Sequence, residues 1–67
     1  MDESSELFEQ FQYAHLPPHL QEISKKFYEL ALWMMETLPA GLQRTQGLWE
    51  LLRAKDCAVR AIARKKI

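Results

Sequence analysis

The chain has 67 residues, nine basic and nine acidic, with no net charge and an apolar share of 48%. So short a chain holds one small core and not two domains, and its apolar share is too high for disorder. Zero net charge argues against a duplex-DNA-binding regulator, and no run approaches the roughly 20 apolar residues that span a bilayer. A core this small supplies only about 3–5 kcal/mol without disulfide or metal, so self-association is expected.

Residues 1–17 form an N-terminal arm. Within it, residues 2–12 read as a short acid-rich helix, with candidate capping serines and its acids placed early, where the helix dipole favours them. No basic flank and apolar run of a signal peptide is present. Pro17 and Pro18 end the arm. Each proline pushes the residue before it toward extended geometry, and Pro18 suits the first turn of a helix.

The first long helix is expected over residues 18–38. Leu20, Ile23, Phe27, Leu30, Met34 and Leu38, joined by Ala31, fall on one stripe at about 100° per residue and should form the core face. After Leu30 the helix is apolar nearly all round, so Leu32, Trp33 and Met35 require a second partner. Pro39 and Gly41 mark a tight turn, and a second long helix is expected over 42–65. Its stripe is Leu48, Leu51, Leu52, Ala58, Val59, Ile62 and Ala63. Gly47, Ala54, Ala58 and Ala61 border that stripe and permit close approach of a neighbouring helix. The expected fold is therefore all-α: an antiparallel helical hairpin with a short N-terminal helix or arm, one domain over 1–67, assembling into a homo-oligomeric bundle.

Several residues do not fit a purely structural account. Arg53, Arg60 and Arg64 share a flank of the second helix, because steps of seven and four return to one side. They are either a solvated face near a helix C-terminus or a ridge for phosphate oxygens. Lys55 lies mid-stripe and needs a partner: it snorkels, pairs with Asp56 or another chain's carboxylate, or faces an anion cavity. Lys25 and Lys26 have Glu22 and Glu29 within pairing distance on the helix. Tyr13 has the ring to stack on a base beside a lysine that meets its phosphate, whereas Phe11 reads as a staple onto the hairpin.

Metal binding and catalysis find little support. His15 and His19 are separated by two prolines and have no third ligand nearby. No nucleophile lies beside a histidine in helical register, and Cys57 reads as a small packing residue. A lone cysteine also points to a reducing compartment, the cytosol. The expectation is a non-enzymatic protein without metal or cofactor.

Taken in order, "FQYAHLPP", "ISKKFYELALWMMETLP" and "LLRAKDCAVRAIARKK" make the chain similar to the small helical-hairpin sponges by which phages defeat the CBASS cyclic-oligonucleotide defence. The similarity covers nearly everything after residue 10. It implies a hexamer in the host-cell cytoplasm that sequesters cyclic dinucleotides between protomers, and cyclic trinucleotides in separate pockets, without cleaving them. Carried over residue by residue, Tyr13 is the stacking tyrosine, Lys25 or Lys26 the phosphate-binding lysine, and Arg64 the arginine closing Ile-Ala-Arg. The chain departs from the pattern at Ala14 and in "KDCAVR", where Arg60 and Lys55 bear on the pocket. The candidate ligand-binding set is thus Tyr13, Lys25, Lys26, Arg60 and Arg64. The rival expectation is a structural or interaction hairpin that docks a partner protein through its apolar face.

Overall fold

The computed structural model describes residues 3–64, which fold into three α-helices and no strand. Helix α1 spans Glu3–Glu9, α2 spans Pro18–Thr37 and α3 spans Leu42–Arg64. The expected ends at residues 2 and 65 lie outside the described residues. At 23 residues, α3 is about 34 Å long and sets the long axis of a molecule measuring 42 × 18 × 17 Å.

Local chemistry explains each boundary. Glu3 and Glu6 occupy the first turn of α1, beside its positive dipole end. Pro17 is extended at φ −58° and ψ 152°, so the chain turns sharply before Pro18 starts α2. Helix α2 stops one residue earlier than its apolar pattern suggests, because Leu38, ahead of Pro39, adopts extended geometry at ψ 142°. Gly41 then takes φ +150°, which side-chain-bearing residues rarely adopt, and its carbonyl accepts from Thr45 N at 3.1 Å as α3 begins.

The core consists of Leu7, Phe11, Ala31 and Leu48, with Phe8, Phe27, Tyr28, Met34, Met35, Leu51 and Leu52 packed around it. Phe11 and Leu48 are fully buried, worth about 1.5–3 kcal/mol each. Phe11 is thus the staple its position suggested. On α3 the expected stripe holds through Leu48, Leu51, Leu52, Ala58, Val59 and Ile62, although Ala63 is exposed. On α2 the expected stripe holds through Leu20, Ile23, Phe27, Ala31, Met34 and Leu38, and the covered face widens to take in Ser24, Tyr28 and Met35, while Leu30 faces water. The cause is α1, which packs on both long helices. Its Phe8 ring lies 5.3 Å from that of Tyr28 and draws that residue into the interior.

Close approach of α2 and α3 occurs at Gly47, where an added Cβ would sit 2.9 Å from Met34 Cε. Ala54 and Ala61, expected to admit a helix of this chain or of another, are exposed and serve no such approach within the chain. A polar cluster fastens the ends of the helices. Arg44 Nη1 donates to the Met35 and Leu38 carbonyls, both at 3.2 Å, satisfying acceptors that the end of α2 leaves without helical partners. Its Nε donates to Ser4 Oγ at 3.2 Å, and Ser4 Oγ lies 3.1 Å from Thr45 Oγ1. Ser4 is therefore a buried tie between α1 and α3. Trp33 is 54% exposed and Trp49 48% exposed.

Candidate functional site

The arm between α1 and α2 is held by few, well-placed contacts. Leu16 N donates to Tyr13 O at 3.0 Å, closing a turn over 13–16. Gln21 Nε2 reaches back from α2 to the carbonyls of Ala14 at 3.2 Å and Leu16 at 2.7 Å. Tyr13 is held half-buried with its ring centroid 5.5 Å from that of Tyr28, at 62°. Tyr28 thus lies between Phe8 and Tyr13, each such edge or tilted contact contributing about 0.5–1.5 kcal/mol.

Lys25 and Lys26 are exposed, and among the described residues neither forms an ion pair, so the expected pairing with Glu22 and Glu29 is not made. Lys25 stands three residues before Tyr28 and so shares its side of α2, whereas Lys26, two residues before it, projects to the opposite side. Register therefore associates Lys25 with the Tyr13 platform.

The arginine ridge is divided by its contacts. Arg60 Nη2 lies 3.2 Å from Asp56 Oδ2 in an exposed i,i+4 pair, worth about 0.3–0.5 kcal/mol. Arg64 is exposed at the end of α3. Arg53 forms no ion pair among the described residues and lines a cleft of about 460 Å³ between the arm and α3. Gln10 and Leu16 form one wall, and Trp49, Arg53, Lys55 and Asp56 the other.

Lys55 is 9% exposed, and its partner is neither Asp56 nor solvent. Its Nζ donates to the main-chain carbonyl of Gln10 at 2.8 Å and lies 5.7 Å from the Phe11 ring centroid. Burial pulls its pKa below the ordinary lysine value, against an opposing upward pull from Asp56. A second cleft, of about 340 Å³, adjoins the first across Trp49 and is lined by Glu3 and Glu6. Trp49 thus lines both an acidic recess and a basic one, as do Gln10 and Leu52. The α3 pattern alone carries no sign of this, because both recesses depend on where α1 and the arm land.

His15 and His19 are exposed, and among the described residues no three histidines, cysteines or carboxylates converge on a metal position. Cys57 is exposed and not a packing residue. No described helix is long and apolar enough to cross a membrane. Comparison with protein-family models, curated proteins and solved structures finds no match for this chain.

Proposed function

We propose that the chain is a non-enzymatic sponge that binds cyclic di- or trinucleotides and withholds them from CBASS effectors in the host-cell cytoplasm. The observation carrying this reading is the Tyr13 platform. Its ring is steadied by Tyr28, its arm is tied down by Gln21, and Lys25 stands unpaired on the same side of α2. A ring already fixed loses less entropy when a base stacks on it. A nearby ammonium supplies the charge that a phosphate requires. Arg60 and Arg64 enter as cations brought by neighbouring protomers, and assembly of hairpins, as a hexamer, places them there. The small apolar core among the described residues and the exposed Trp33 favour such assembly.

Calorimetric titration with cyclic dinucleotides and trinucleotides tests the proposal. Saturable binding without turnover is expected, and lack of binding to every one of them at tens of micromolar would defeat it. A second reading, a structural hairpin docking a protein partner, is favoured by Leu30 and Trp33, both exposed three residues apart on one side of α2. Under that reading a charge at Trp33 abolishes activity while Tyr13→Ala leaves it intact.

A further inference from the structure

We propose that the cleft between the arm and α3 is a binding site, complete within one chain, for a small ligand bearing one flat aromatic ring and one anionic group. It goes beyond sequestration of cyclic nucleotides between protomers, since the cleft has its walls on the arm and α3 of the one chain and Tyr13 is not among its lining residues.

Three features define the ligand. The first is size: about 460 Å³ falls in the lower half of the roughly 300–1,000 Å³ span of small-molecule sites. That suits one ring and one anion better than a macrocycle. The second is charge. Lys55 and Arg53 bring two cations to the cleft, against one carboxylate, Asp56, that Arg60 already engages. An ammonium has three N–H donors, and Lys55 makes one hydrogen bond, to Gln10 O. The remaining donors belong to a side chain more than nine-tenths buried that lines the cleft. Arg53, unpaired among the described residues, offers a fork suited to a phosphate or carboxylate.

The third feature is the half-exposed indole of Trp49, which gives the ring a face to stack on beside the apolar side chains of Leu52 and Val59. Beyond that indole, Glu3 and Glu6 make the adjoining recess acidic, so an anion is admitted only on the Arg53 side.

The probes are adenosine monophosphate for the phosphate arm and indole-3-acetate for the carboxylate arm, with adenosine and inorganic phosphate as halves. Trp33→Phe in the full chain leaves Trp49 as the sole indole reporter for the phosphate arm, and calorimetry reads the indole ligand. Saturable binding of at least one ring-plus-anion probe is expected at millimolar concentration or below, with each half at least about tenfold weaker. Arg53→Gln, an exposed position, should weaken it about tenfold with helical circular dichroism unchanged. Tyr13→Ala should leave it unaltered while weakening cyclic-dinucleotide binding, which separates this site from the proposed sponge site. Absence of saturation by both probes, equal affinity in Arg53→Gln, or loss in Tyr13→Ala would overturn the assignment.

Discussion

The Lys55 ammonium donates to the Gln10 carbonyl at 2.8 Å and so ties the chain just past α1 to the middle of α3. The contact spans 45 residues and replaces water for a carbonyl that the end of α1 leaves without a helical donor. Lys55→Met keeps the bulk of the stem and removes the donor. The bond is part-buried and water can reach the exposed Gln10 once the donor is gone, so the loss falls at or below the low end of the roughly 1–3 kcal/mol for a fully buried unpaired group, and destabilisation of about 1 kcal/mol or less is expected in urea unfolding.

The same lysine sets a pH dependence. Its folded-state pKa is depressed, so just below the ordinary lysine value of about 10.4 the unfolded chain binds more protons than the folded one. Stability contributed by Lys55 therefore rises with pH across that window, is complete above the unfolded value, and is lost as pH falls through the folded one. The neutral amine still donates to Gln10. The stability gap between the native chain and Lys55→Met should widen as pH rises toward the ordinary lysine value of about 10.4. A constant gap would show that the ammonium is not desolvated.

Ser24 offers the opposite case. Its hydroxyl is fully buried on α2 and has no hydrogen-bond partner among the described residues. Ser24→Ala removes a desolvated polar group and improves helix propensity, so the protein should gain about 1 kcal/mol and melt at a higher temperature. A lower melting temperature would mean that the hydroxyl is satisfied in solution.

Arg44 holds three acceptors from two elements. Arg44→Met leaves the Met35 and Leu38 carbonyls to water and removes one donor to Ser4, which keeps its contact with Thr45, at an expected cost of about 1–2 kcal/mol. Arg44→Lys should recover only part of this, since one ammonium does not reproduce the planar fork. Chemical denaturation of the two variants compares them directly, and equal stability would remove the guanidinium's geometry from the explanation.

How far these features were legible depends on how local their causes are. The α3 stripe was readable because Leu48, Leu51, Leu52, Val59 and Ile62 repeat within one uninterrupted helix. The buried side of α2 was misplaced at Leu30, Tyr28 and Met35, since two elements cover α2 and the landing point of Phe8 is not encoded in α2's own periodicity. Lys55 announced a need for a partner, but a main-chain carbonyl has no residue-type signature. Ser4 and Arg44, 40 residues apart, likewise carry no local mark of their contact. Tyr13 was visible as a ring on a proline-bounded arm, whereas its support by Tyr28 depends on α1 and the arm covering a wider face of α2 than its stripe suggests.

That support gives a prediction about the two adjacent lysines. Tyr13 rests on Tyr28, and helical register sets Lys25 on the side of Tyr28 and Lys26 opposite it. Under the sponge reading, Tyr13→Ala should weaken cyclic-dinucleotide binding by about 1–3 kcal/mol, the range for loss of one base–aromatic stack. Lys25→Ala should lower affinity and flatten its salt dependence, while Lys26→Ala, equally exposed, should do neither to a comparable degree. Calorimetry at two salt concentrations reads both effects. Equal losses from the two lysines would mean that neighbouring protomers bring both ammonium groups to the ligand. A loss confined to Lys26 would contradict the placement of the phosphate on the Tyr28 side of α2.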